Sequence, residues 1–276
     1  MTIKKNNDWN GKVADVWTNL VPPGIPAISE INIYLKHIRK IQYSLNRRLK
    51  MLILGSTPEF RDLGYEQNFD VTVVDSSKDY YQNISKAIRH KALIDNEKVN
   101  FMRWEDINHS NEFDVVIGDL ALCLIPLSEL EDFVKRISKA LKQNGLFLGK
   151  SLFIAASYKA EDPQRLVEKY YEGPPIHPYP ALLYDLAVYC LNENNCFDYR
   201  KMYNVLKELN KEQILKDEAF DFFEKLGWNI DIDIEVQVLS LEIFEELVSK
   251  YFSIANIEYG DEVYSKYFPL YILVNK

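Results

Sequence analysis

Cysteine is scarce in this 276-residue chain. Only Cys123, Cys190 and Cys196 occur, too few and too scattered for a disulfide framework or a CxxC-type zinc site, so no metal centre is expected. Reduced thiols in a cytoplasm fit that count. Long apolar runs are missing as well: no stretch approaches the roughly 20 residues that cross a bilayer. The opening MTIKKNNDWNGK lacks the apolar segment of a secretory signal. A cytoplasmic protein with no membrane partner is therefore expected. Basic excess is absent too, with 33 Lys and Arg against 41 Asp and Glu and a net charge of -8. Such a composition has no general pull on a polyphosphate backbone, and nucleic acid is not an expected partner. The local basic run Lys36, His37, Arg39, Lys40, Arg47, Arg48 and Lys50 reads as a solvated helix face. Glycine is sparse, at ten residues, and no GxGxxG fingerprint of a nicotinamide-binding turn occurs.

What is present is globular: 47% hydrophobic and 27% charged residues supply a sizeable core. Residues 1–28 are polar and then rich in turn formers (Val21-Pro22-Pro23-Gly24-Ile25-Pro26), an extended arm whose Trp9 and Trp17 must dock to be ordered. From Ser29 onward Ile31, Tyr34, Leu35, Ile38, Ile41 and Leu45 recur at helical spacing through about Leu49. Met51-Leu52-Ile53-Leu54, bounded by Gly55 and Pro58, suits a strand buried on both faces. Val71-Thr72-Val73-Val74 runs to Asp75 and precedes a helix over 78–91. A weaker strand over 99–102, a strong one over 113–117, a helix over 130–141 and a strand over 145–149 follow. This alternation predicts a parallel, doubly wound sheet. Residues 155–227 change character to tyrosine-rich helical segments over 164–171, 181–191 and 197–209, broken by Gly173-Pro174-Pro175-Ile176-His177-Pro178-Tyr179-Pro180. A helix over 241–251 and two antiparallel strands over 252–259 and 267–274 close the chain. The organisation expected is an arm and helix (1–49), a sheet core (50–154), a helical insertion over the carboxyl edge of the sheet (155–240), and a final helix and strand pair (241–276).

Ligands of open parallel sheets bind beyond the carboxyl ends of the strands, where the winding reverses. The first such end carries Gly55-Ser56-Thr57-Pro58-Glu59, where glycine lets the backbone turn and approach a ligand closely. The residues that follow begin a helix whose first amides can face a carboxylate or phosphate. Asp75, followed by Ser76, stands about twenty residues beyond Gly55, the spacing at which a carboxylate reaches the two hydroxyls of an adenosine ribose.

These segments resemble the class I S-adenosylmethionine-dependent methyltransferases, over about residues 50–150 and again at the C-terminus. MLILGSTPEFRDL is similar to their first motif, VTVVDSS to the second, FMRWEDI to the third, FDVVIGDLALCLIP to the fourth and LKQNGLFLGKSLF to the strand after it. FSIANIEYG and YFPLYILVNK are similar to the reversed hairpin that ends this fold. The LGxTPE turn, with a tryptophan-containing arm before it, looks like a bacterial branch of the superfamily. The resemblance implies a Rossmann-like α/β fold: a doubly wound seven-stranded sheet with an antiparallel C-terminal hairpin, plus the helical insertion. It also implies S-adenosylmethionine as cofactor and S-adenosylhomocysteine as product, held by Gly55, Ser56, Thr57, Pro58, Glu59, Asp75, Ser76, Trp104, Glu105, Asp106, Gly118 and Asp119.

Two departures bear on that site. The first loop has one glycine where the family carries two or three, and Arg103 stands where an acidic residue usually accepts from the adenine amino group. Trp104 then stacks on adenine or packs in the core, and either Glu105 or Asp106 takes the amino proton. Asp119 and His177 are the catalytic candidates: Asp119 orients an acceptor or binds the cofactor's amino group, and His177 sits in a rigid proline-flanked loop. Tyr179 and Tyr184 are candidates for binding a small-molecule methyl acceptor. The expected activity is methyl transfer to an oxygen or nitrogen of a small molecule. The alternative is a degenerate methyltransferase fold used as a binding or scaffold module. A nicotinamide-dependent oxidoreductase is disfavoured by the missing GxGxxG and by the terminal hairpin.

Overall fold

The computed structural model describes residue 17 and residues 20–155, 159–172, 179–225, 236–262 and 264–276, with backbone alone for residues 172, 179–181 and 183. Helix α1 (Ile28–Gln42) leads into strand β1 (Lys50–Leu54), and α2 (Pro58–Glu66), β2 (Asp70–Asp75), α3 (Lys78–Ile84), β3 (Lys98–Phe101), β4 (Phe113–Asp119), α4 (Leu127–Ala140) and β5 (Leu141–Lys150) follow. Strand β6 (Phe153–Ile154) leads into the insertion, which contributes α5 (Pro163–Glu172), α6 (Tyr179–Tyr189), β7 (Cys196–Phe197), α7 (Tyr199–Lys211), α8 (Asp217–Lys225), β8 (Val236–Gln237) and β9 (Leu239–Ser240). Helix α9 (Leu241–Val248) and strands β10 (Phe252–Glu258) and β11 (Leu270–Asn275) return to the sheet. No helix among the described residues is long and apolar enough to cross a membrane.

The seven strands are ordered β10-β11-β5-β4-β1-β2-β3. Strands β1 to β5 run parallel, whereas β11 is antiparallel to both β5 and β10. The apolar run of β1 is buried on both faces because alternate side chains enter two different cores. Leu52 and Leu54 join Val116 and the α4 residues Leu130, Phe133 and Ile137 on one side; Met51 and Ile53 join Val115, Ile117, Tyr34 of α1 and Phe60 of α2 on the other. Each such side chain contributes about 1.5–3 kcal/mol on burial, so the register of the central strands is strongly fixed. The winding reverses between β1 and β4, and the crevice expected at a switch point opens at their carboxyl ends.

Two helices are shorter than their apolar periodicity predicts, in each case because polar contacts capture the chain. The first ends at Gln42 rather than near Leu49. There Ser44 Oγ donates to the Ile41 carbonyl at 2.7 Å, and Arg47 makes a bidentate pair with Asp114 at 2.6 and 2.7 Å, which draws the chain out toward β1. The helix after β2 ends at Ile84 instead of Lys91. Arg61 Nη1 donates to Ser85 Oγ at 2.9 Å, and Asp62 accepts from the Arg89 and His90 amides at 3.1 Å, so α2 replaces helical continuation with its own bonds. The basic run is held partly by acids: Lys36 and His37 pair with Glu258, and Arg48 with Asp70.

The insertion has a core of its own, with Leu166, Val167, Leu186, Met202, Leu206 and Phe223 among its buried members. It also pairs β6 with β9 and β7 with β8, two-residue strands too short to leave a periodic signal in sequence. Leu152, Val238, Tyr267 and Phe268 join it to the sheet, and Tyr170 and Tyr267 both donate to Asp185.

Candidate functional site

The residue that turns the chain off β1 is Gly55, with φ +85°, a conformation strained for any residue with a Cβ. Its amide donates to the Val74 carbonyl at 2.8 Å. The same carbonyl accepts from Trp104 Nε1 at 2.9 Å. A Cβ on Gly55 would stand 3.2 Å from the Trp104 ring, so glycine and tryptophan fit one another across the crevice. Beside them Asp75 ends β2, buried, with Ser56 Oγ donating to its Oδ2 at 2.5 Å and the Ser77 amide to its Oδ1 at 2.9 Å. Burial pushes the Asp75 carboxyl up from its ordinary pKa, and those two donors pull against that shift. Gly55 and Asp75 line a single pocket.

Ser56, Thr57, Ser76, Arg103, Trp104, Glu105 and Asp119 share that wall with them. Four predicted residues stand off it. Pro58 opens α2 behind the loop, and Glu59 is turned toward the arm, accepting from Trp17 Nε1 at 3.4 Å. Asp106 is exposed. Gly118 serves packing: a Cβ there would meet the Cβ atoms of Ala121 at 2.9 Å and Leu54 at 3.2 Å. Arg103 is paired with Glu105, and more loosely with Glu129 at 3.7 Å, so its charge is already compensated. Tyr184 is on the wall. His177 and the side chain of Tyr179 lie outside the described residues.

Several wall residues carry no motif. Trp17 docks its buried ring beside Tyr80 and Ile84, and so brings the arm into the pocket; its place in a turn-rich arm indicated that it docks, not where. At the far end, under the insertion, Cys123, Leu152, Ala187, Phe197, Tyr199 and Phe268 make an apolar, aromatic chamber. Tyr184 packs edge-on against Phe268 at 4.6 Å between ring centroids. Burial pushes the Cys123 thiol up to about 12, so it is a packing group and not a nucleophile.

Where the two ends meet stands Asp119, opposite Lys150 in the parallel β4–β5 pairing. Lys150 is fully buried, its Nζ 3.2 Å from Asp119 Oδ1 and 2.5 Å from Glu30 Oε2. Glu30 Oε2 also accepts from the Ala27 amide at 2.9 Å, at the start of α1. Burial lifts the Asp119 carboxyl to about 7; Lys150 opposes the shift and Glu30 adds to it. Burial favours the neutral amine of Lys150, but Asp119 and Glu30 outweigh it and hold the ammonium above its ordinary pKa. Among the described residues no three His, Cys, Asp or Glu side chains gather to hold a metal ion.

Seven strands with β11 reversed between β5 and β10, helices on both faces and a cleft at the switch point define the Rossmann-like methyltransferase fold. The sequence matches no family model and no curated protein. Solved structures do match. A protein from Listeria monocytogenes assigned as an S-adenosylmethionine-dependent methyltransferase aligns with 88% of this chain and 99% of its own, at 12% identity and a TM-score of 0.51. An S-adenosylmethionine-dependent methyltransferase from Methanosarcina mazei aligns with 86% of this chain and 96% of its own, at 14% identity and a TM-score of 0.50. A protein from Rhodobacter sphaeroides assigned as a zinc-dependent alcohol dehydrogenase aligns with 98% of this chain and 99% of its own, at 14% identity and a TM-score of 0.54. At such identities the likeness is one of fold.

Proposed function

We propose that this chain is a cytoplasmic S-adenosylmethionine-dependent methyltransferase acting on an oxygen or nitrogen of a small molecule enclosed beneath the insertion. The observation that carries the reading is that Gly55 and Asp75, on neighbouring strand ends, line one pocket that continues past Asp119 into an apolar chamber. The residues suit the cofactor. An ionised carboxylate has about four lone-pair sites, so Asp75, which accepts from the Ser56 hydroxyl and from the Ser56 and Ser77 amides, retains acceptor capacity for a ribose hydroxyl. Trp104 offers a ring face for adenine and Glu105 an acceptor for its amino group. The Thr57 amide, at the start of α2, offers a donor to a carboxylate. Bound there, the cofactor supplies an electrophilic methyl group on a sulfonium.

The chain's own part is then positioning. Tyr184, Phe197 and Tyr199 exclude water and hold the acceptor, while Asp119 orients its nucleophilic atom and receives its proton. The zinc chemistry assigned to the Rhodobacter protein has no ligand set among the described residues. One observation favours the second reading, a binding module without catalysis. The single glycine of the first loop is followed by Ser56, whose hydroxyl already occupies part of Asp75.

Calorimetric titration tests the proposal. S-adenosylhomocysteine is expected to bind, and Asp75→Ala to weaken it by about 10- to 150-fold, the equivalent of about 1.5–3 kcal/mol for hydrogen bonds to a charged acceptor. No binding of either S-adenosylmethionine or S-adenosylhomocysteine would overturn it. Binding with no methylated product from any small-molecule pool would favour the module.

A further inference from the structure

The pocket wall is backed by a cluster that sequence motifs do not announce. Three charged groups from three elements meet there: Glu30 of α1, Asp119 of β4 and Lys150 of β5. Of the three, only Asp119 reaches the wall. Two carboxylates share one ammonium, so the set carries an excess negative charge whenever Asp119 is ionised. The surroundings do not supply the missing counter-charge. Glu59 of α2 adds a further carboxylate field at Asp119. The nearby hydroxyls of Tyr34, Tyr184 and Tyr264, and the Cys123 thiol, are all held neutral by burial. Among the described residues, Glu30 Oε1 and the hydroxyls of Tyr34 and Tyr264 are buried without a hydrogen-bond partner. Beyond its ion pair, Asp119 Oδ1 accepts no hydrogen bond from the described residues either. A buried polar cluster of this kind is poised for something that enters beside it.

We infer, on the strength of the function proposed above, that Glu30, Lys150 and Asp119 form a charge sensor: Asp119 yields its carboxyl proton to solvent when a sulfonium enters the pocket, and keeps it when the occupant is the neutral thioether. The physical warrant is the sign of the interaction. A carboxyl group raised to about 7 by burial is half protonated near neutrality, and a positive charge within the same low-dielectric wall favours its ionised form. S-adenosylmethionine and S-adenosylhomocysteine differ in one methyl group and its charge, so their shared amino and carboxylate groups cancel in the comparison. The chemistry balances through this residue. The acceptor–carbon bond forms while the carbon–sulfur bond breaks and its electron pair stays on sulfur; the acceptor's proton passes to the Asp119 carboxylate. Loss of the sulfonium charge restores the affinity of Asp119 for that proton. The base is thus armed by the methyl donor and disarmed by its product.

The experiment is a pair of calorimetric titrations, with S-adenosylmethionine and with S-adenosylhomocysteine, each in phosphate and in Tris, from pH 6 to 8 on the unmodified chain. At pH 7 the cationic ligand is expected to release about half a proton more than the neutral one. Its affinity relative to the neutral ligand should rise about tenfold from pH 6 to 8, as Asp119 ionises in the free protein. Asp119→Asn should erase the difference. Glu30→Gln removes a negative neighbour, and should move the window to lower pH. If both ligands bind with the same proton count, or if the difference survives in Asp119→Asn, the sensor is refuted while the cofactor site stands. If neither ligand binds, the proposed function falls and the sensor with it. Should a variant fail to fold, the buffer comparison on the unmodified chain decides the matter.

Discussion

The two ends of the pocket are built by different means. At the sheet end the wall consists of strand termini and the residues next to them: Gly55 and Ser56 after β1, Asp75 and Ser76 at β2, Trp104 and Glu105 after β3, and Asp119 at β4. There the groups that matter are set by backbone register and by short bonds between neighbours. At the insertion end the wall gathers Tyr184, Phe197, Tyr199 and Val236, side chains from separate elements with a core of their own. The first end is a property of the fold, and proteins 12–14% identical to this one keep that fold. The second is built from the insertion, whose side chains pack on a core separate from that of the sheet.

The comparison is open to test, and the largest expected effect falls on the seam between the two ends. Lys150→Met leaves the Glu30 and Asp119 carboxylates buried without their cation, and is expected to lower the unfolding free energy by about 3–5 kcal/mol in urea denaturation. A loss below about 1 kcal/mol would mean that the ion pairs do not hold the seam. Next comes Phe223→Ala, which empties a fully buried position in the insertion core and should cost about 3 kcal/mol. Hydrogen exchange is expected to quicken in α7 and α8 while S-adenosylhomocysteine affinity holds. If affinity falls in step with the exchange, the two regions are one cooperative unit and the distinction fails. The smallest effect is that of Gly55→Ala. A Cβ in the left-handed region and 3.2 Å from Trp104 costs about 1–2 kcal/mol, and should appear as about tenfold weaker S-adenosylhomocysteine binding in an otherwise stable protein.

The same division decided what could be read from the residues alone. Met51 to Leu54, the spacing from Gly55 to Asp75 and the terminal strand pair were legible because burial on both faces and sharp turns at strand ends restrict residue type locally. The ends of the first helix and of the helix after β2 were not, since Asp114, Asp62 and Arg61 reach them from elsewhere in the sequence. Of the expected cofactor residues, Pro58, Glu59, Asp106 and Gly118 lie off the wall, although each is only one or two positions from a residue that lines it. Trp17 and Tyr80 were missed because they come from an arm and a helix that only tertiary packing brings together. Lys150 left one faint trace, a lysine in the otherwise apolar GLFLGKSLF, and its partner Glu30 left none, being 120 positions away.

Glu30 has two occupations at once. The oxygen that accepts from the Ala27 amide, and so anchors the opening turn of α1, is also the counter-ion of Lys150. The first turn of that helix is therefore wired to the floor of the pocket. Whatever unwinds that turn disturbs the proton balance of Asp119, a carboxylate 89 positions from Glu30 by sequence and one lysine away in space.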